Sequence, residues 1–178
     1  MKYVEGRRKF IDSWGQLASE WGVSRTMGQI HGLLLCSSEA LCADEILKIL
    51  EISRGNANQN IRALVEWGLV HKINMDGRRK DYFMAEKNMW IILRCIIENR
   101  KRKELEPLIE VLQEVSLVES QCPDSDEFCK LIRQLYRFST KANATLDAVI
   151  SMESDDIIQR MFASSGFDTM DVNPATAS

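Results

Sequence analysis

Apolar side chains recur every three or four positions along most of this chain, the spacing of helices with one buried face. Over residues 5–21, Phe10, Trp14, Leu17 and Trp21 share a face suited to a core or a dimer seam, and Gly22 ends the run. Ser24 is placed to cap a second helix over 25–37, where Met27, Ile30, Leu33 and Leu34 form the stripe. Gly28 and Gly32 in that helix let a neighbouring helix approach closely. His31 has no second histidine or carboxylate at metal-binding spacing, which predicts a structural role.

Residues 43–50 predict a short helix with Ile46, Ile49 and Leu50 inward and Asp44 and Glu45 in its first turn, where the helix dipole favours them. Glu51 and Ile52 make a tight connection. Ser53 then caps a helix running to about Trp67, with Ala57, Ile61, Leu64 and Val65 on the buried stripe, and Gly68 stops it. Residues 69–74 and 81–85 are β-prone, and the Asp76-Gly77 pair between them is a hairpin turn signal. Helix, tight turn, helix and hairpin in that order describe a winged helix-turn-helix.

Beyond it the pattern is helical again. Residues 87–120 carry Trp90, Leu93, Ile97, Leu105, Leu108, Leu112 and Val115 on one stripe, with Pro107 expected to kink or divide the helix. The polar run 99–106 reads as a solvated face. After Pro123 and Asp124, residues 125–152 predict a long helix with Phe128, Ile132, Leu135, Phe138, Ala142, Leu146 and Val149 inside. A short helix is expected over 154–162, and residues 164–178, without periodicity, as a disordered tail. The predicted fold is mainly α with a small β-hairpin wing: a winged helix-turn-helix domain over 1–86, then a long helical arm over 87–163.

Composition, at 45% hydrophobic and 28% charged, is that of a soluble globular protein. The apolar runs are too short to span a bilayer, and the first ten residues lack the apolar middle of a secretion signal, so a cytoplasmic protein without a membrane partner is expected. Five cysteines without a CxxC pair predict reduced thiols rather than disulfides or a zinc site, with Cys122 and Cys129 the candidates for a redox role. The net charge of −3 changes meaning once it is located. Residues 53–80 hold six basic and two acidic side chains, net +4, whereas residues 104–178 hold five basic and fourteen acidic, net −9. Local charge facing phosphates governs nucleic-acid affinity, so the chain permits DNA binding despite its sum.

The candidate chemistry lies in the polar helix. Its N-terminal half, residues 53–60, would meet base edges in a major groove. Leaving out Ala57, which faces the core, the candidate DNA-binding residues there are Ser53, Arg54, Asn56, Asn58 and Gln59, with Arg62 just beyond. Amide side chains pair bidentately with adenine and arginine with guanine, whereas a merely solubilising face favours glutamate and lysine. Gly55 suits close approach to a backbone. Arg78 and Arg79 at the hairpin tip fit a wing that reaches a minor groove or its phosphates.

The run ISRGNANQNIRALVEWGLVHKI, followed by DGRRKDYF, resembles the winged helix of MarR-type bacterial repressors, particularly their GbsR-like branch. The resemblance extends to RRKFIDSWGQLASEWGVSRTMGQIHGLLL and ENRKRKELEPLIEVL, and so covers residues 4–162. It implies a homodimeric transcriptional regulator on double-stranded DNA, with the arm as dimerisation region and two wings straddling a pseudo-palindromic operator. The MarR-type pattern has threonine, serine and arginine in the recognition helix where this chain has Asn56, Asn58 and Gln59, so the resemblance carries the binding mode and not the target sequence. It further implies a small-molecule effector. Trp14, Trp21, Trp90 and Phe83 could form an aromatic cage for a quaternary ammonium, but core roles are favoured and no effector residue is assigned.

Two other classes compete. A winged-helix protein-interaction module without DNA binding would suit the acidic C-terminal half, yet has no need of arginines at the wing tip. An enzyme is disfavoured: His31 and His71 sit in no catalytic context, and GxSxG, Walker, HExxH and GxGxxG patterns are lacking, so no catalytic residue, cofactor or metal is expected.

Overall fold

The computed structural model describes residues 1–74, 79–119 and 122–152. In chain order these form α1 (Tyr3–Glu20), α2 (Arg25–Leu35), β1 (Leu41–Cys42), α3 (Ala43–Leu50), α4 (Arg54–Glu66), β2 (Val70–Ile73) and β3 (Tyr82–Ala85). Then come α5 (Met89–Arg100), a π-helical stretch (Lys101–Leu105), α6 (Glu106–Val115) and α7 (Pro123–Ser151). The chain divides into two compact units, Met1–Ile96 and Ile97–Ser178, and the division falls within α5. The predicted Asp76-Gly77 turn, Arg78, the helix over 154–162 and the tail over 164–178 lie outside the described residues.

In the first unit the helix ends are set by small residues. Ser24 Oγ accepts the Met27 N–H and Ser53 Oγ the Asn56 N–H, as N-caps do. Gly22 and Gly68 adopt φ of +75° and +74°. Each directs its own N–H and that of the next residue back to carbonyls of the last turn, which closes α1 and α4. Ile30, Leu33, Leu34, Ile46, Leu64 and Val70 are fully enclosed, and Ala57, Ile61 and Ile92 join the same core. Burial of each large side chain contributes roughly 1.5–3 kcal/mol, so this cluster fixes α4 against its neighbours.

The sheet has the order β1-β3-β2, all antiparallel, with Leu41 opposite Phe83 and Lys72 opposite Phe83 on the other side. Two-residue β1 gives no periodic signal and was not expected. In the first unit two residues expected to face inward do not. Ile49 is 46% exposed, because α3 buries the side carrying Ile46, Leu47 and Leu50, and Ile49 lies beyond its edge. Val65 is also exposed, a hundred-degree turn away from the Leu64 stripe.

The second unit packs α6 against α7 around Leu112, Cys129 and Ile132. Pro107 interrupts the α-helical hydrogen-bond pattern without breaking the helix, which continues from α5 through the π-helical stretch into α6. It has no N–H to donate and its ring crowds the preceding turn, so the backbone widens just before it and the Glu106 N–H bonds to the Lys101 carbonyl five residues back. The run 99–106 is not wholly solvated. Lys101 is largely enclosed, with Nζ 2.6 Å from Glu106 and 3.0 Å from Asp147 of α7. Phe128, Leu135 and Phe138, expected inside, are exposed on α7 in the single chain.

Candidate nucleic-acid interface

The tight connection between α3 and α4 turns on Glu51, whose φ of +53° is the only positive value among described non-glycine residues. The Ile52 N–H returns to the Leu47 carbonyl at 3.1 Å, and Ser53 caps α4 immediately afterwards. With Ala57, Ile61 and Leu64 sunk into the core, the opposite face of α4 is fixed outward. Ser53, Arg54, Asn58, Gln59 and Arg62 are exposed there.

Asn56 has a different setting. It is half-buried, and its Nδ2 donates to Thr26 Oγ1 of α2 at 3.4 Å. Buried Asn60 donates from Nδ2 to the Asn56 carbonyl at 2.8 Å and to its Oδ1 at 2.6 Å. The amide-rich helix therefore splits: Asn58 and Gln59 are free to meet a ligand, while Asn56 and Asn60 knit α4 to itself and to α2. Asn60 was not singled out from the sequence, although its place three residues after Ala57 puts it on the buried side.

The wing brings further charge beside α4. Arg79 is exposed and makes no ion pair among the described residues. Lys80 was not singled out either. Its Nζ lies 2.7 Å from Asp44 Oδ2, and Arg54 Nη2 lies 2.7 Å from Asp44 Oδ1. One carboxylate at the start of α3 thus joins the first residue of α4 to the base of the wing. The Lys80 ammonium, then the Arg54 guanidinium, hold the Asp44 carboxyl below the usual carboxylate range, and the Lys80 ammonium is held correspondingly higher. Lys72 of β2 pairs with Asp81 at 2.9 Å across the hairpin.

Of the candidate cage residues, Trp14 lies on α1, Trp21 just after it and Phe83 on β3. Trp14 stacks on Phe10 with ring centroids 5.4 Å apart and donates from Nε1 to His31 Nδ1 at 3.2 Å. Phe83 packs on the core from β3, and Trp21 is half exposed. Among the described residues no cluster of histidine, cysteine or acidic side chains could hold a metal ion, and no helix is long and apolar enough to cross a membrane. All five cysteines are free thiols.

No family model matches the chain. It is 27% identical over 81 residues to the HTH-type transcriptional regulator MmpR5 of Mycobacterium tuberculosis, a match covering 45% of this chain and 49% of that protein. It is 23% identical over 110 residues to the HTH-type transcriptional repressor GbsR of Bacillus subtilis, covering 62% and 61%. The chain therefore spans between about half and three-fifths of the length of these relatives. A crystal structure of a transcriptional regulator superposes with a TM-score of 0.64 at 20% identity, over 82% of this chain and 95% of the other. At that identity the likeness is one of fold.

Proposed function

We propose that this GbsR-like winged helix-turn-helix protein is a sequence-specific, DNA-binding transcriptional regulator that acts as a homodimer. The observation that carries the reading is the outward face of α4. Arg54, Asn58, Gln59 and Arg62 stand exposed on a helix whose other side is locked by Ala57, Ile61 and Leu64, with the cationic wing alongside. Such a helix can enter a major groove and offer its amides and guanidinium groups to base edges. Arg79, with Arg78 beside it in sequence, would serve the phosphates or a minor groove. Asn56 is assigned the support of α4 before any contact with DNA, because its amide is already bonded.

Two copies would place two such helices on the half-sites of a pseudo-palindromic operator, in the cytoplasm where the chromosome is. An effector that shifts the DNA affinity fits the reading, and no residue is assigned to it.

Binding of duplex fragments from the upstream region of the chain's own gene, measured by anisotropy across a salt series, tests the proposal. Affinity should fall steeply with salt. Arg79→Ala should weaken binding to all sequences and make the salt slope shallower by about 1. Gln59→Ala or Asn58→Ala should instead change which base is preferred, at about 1–3 kcal/mol per lost bidentate contact. Retardation of no fragment at low salt would overturn the reading.

A further inference from the structure

We propose that Asp44 is a built-in stand-in for a DNA phosphate, occupying Arg54 and Lys80 in the free protein and thereby lowering its sequence-independent affinity for DNA. This rests on the DNA-binding reading and deepens it.

Both Asp44 oxygens are used, Oδ1 by Arg54 and Oδ2 by Lys80, each at 2.7 Å. The neighbouring acid, Glu45, is otherwise engaged: its Oε2 accepts the Cys42 N–H at 2.7 Å and closes the start of α3. Asp44 is therefore the acidic group that answers these two cations. The pairs lie on the surface, with Arg54 and Lys80 side chains 72% and 61% exposed. Exposed pairs of this kind contribute little to folding, so they open at small cost. Both cations sit where the proposed interface needs them, one on the first residue of α4 and one at the foot of the wing.

A phosphate oxygen arriving at either cation offers the same charge-assisted hydrogen bond that Asp44 supplies in its absence. The exchange is not neutral. Moving Arg54 and Lys80 onto phosphates leaves one bare carboxylate beside the DNA, which repels the backbone and recaptures about one cation. Counterion release, the driving force of binding to any duplex, is reduced by that amount. Since competing genomic sites offer only this driving force, Asp44 disfavours them.

The test compares wild type, D44N, K80Q and D44N/K80Q on a duplex of unrelated sequence over a salt series. Thermal melting checks that each variant is folded, and E127Q serves as a control for net charge. D44N should bind about threefold to tenfold more tightly at low salt, with a slope steeper by about 1. K80Q should be shallower than wild type by about the same amount, and the double variant should return to the wild-type slope. E127Q should change neither. Folded D44N that binds no more tightly than wild type, with an unchanged slope, overturns the inference and leaves Asp44 as a structural clamp. An equal gain in E127Q also overturns it, in favour of bulk charge. Wild-type protein that binds no duplex overturns the proposed function itself and this inference with it. If D44N fails to fold, the K80Q slope decides alone: no shift from wild type overturns the inference.

Discussion

His31 is enclosed on α2, and its Nδ1 accepts the Trp14 indole N–H. Loss of solvent disfavours the imidazolium, and the pKa falls from 6.5 to about 4. At neutral pH the ring is uncharged, as its acceptor role requires. The unfolded chain takes up a proton near pH 6.5 and the folded chain only near 4, so stability is complete above 6.5 and is lost as pH falls towards 4. Between pH 7 and pH 5 this one side chain should cost about 2 kcal/mol, a drop in Tm of about 5 °C. His31→Gln keeps an acceptor for Trp14 and cannot titrate, so its melting point should be flatter across that range. Equal pH dependence in the two proteins would place the titration elsewhere. The structural role of His31 was legible in the sequence from the lack of ligating neighbours. The fate of Asn56 was not: amides read alike along a helix, and only the position of α2 decides which of them are already bonded.

At the scale of elements, α1 and α2 meet with almost no space between their backbones. A Cβ on Gly28 would lie 2.5 Å from Ala18 Cβ and 3.0 Å from both the Gly15 Cα and the Trp14 carbonyl oxygen. Neither helix backbone can give way cheaply, so Gly28→Ala should cost about 1–3 kcal/mol in chemical denaturation despite the better helix propensity of alanine. Gly55, by contrast, faces open space at the start of α4. Gly55→Ala should raise stability by up to about 1 kcal/mol, yet weaken DNA binding, because the bare backbone at the start of α4 suits close approach to a DNA strand. A variant more stable and equally tight on DNA would leave that glycine without a functional reason. Most of the element order was legible because capping serines, helix-ending glycines and Pro107 act locally. Strand β1 was hidden because two residues carry no period, and its pairing with β3 is a tertiary event. The edges of buried stripes at Ile49 and Val65 also depended on which neighbour arrived.

At the scale of the whole molecule, the described residues leave large apolar side chains exposed at helical spacing. On α7, Leu131, Leu135 and Phe138 are 51%, 41% and 73% exposed, and on α6 Leu108 and Val111 are similarly open. In the first unit Phe10 and Leu17 of α1, and Trp21 just after it, are also exposed. Sequence periodicity places Phe10, Leu17, Trp21, Leu108, Leu135 and Phe138 on apolar stripes but cannot say whether the covering surface comes from the same chain or from a second copy; within each described unit, much of each stripe stays open. Contiguous apolar faces of this kind mark association sites, and a second copy is the partner that the proposed two-fold DNA complex requires. The wild-type protein should then sediment at twice its 20.4 kDa chain mass at micromolar concentration. Replacing Leu135 and Phe138 together with aspartate leaves the buried residues of α7, Cys129, Ile132 and Ser139, untouched, so the unit should still fold. It should, however, halve the mass and weaken operator binding far more than binding of a single half-site, because the loss is one of linkage between two readers. A wild-type chain that remains a monomer at tens of micromolar would remove the dimer from the proposal, while a monomeric variant that binds the full operator undiminished would show that the second copy adds nothing to recognition.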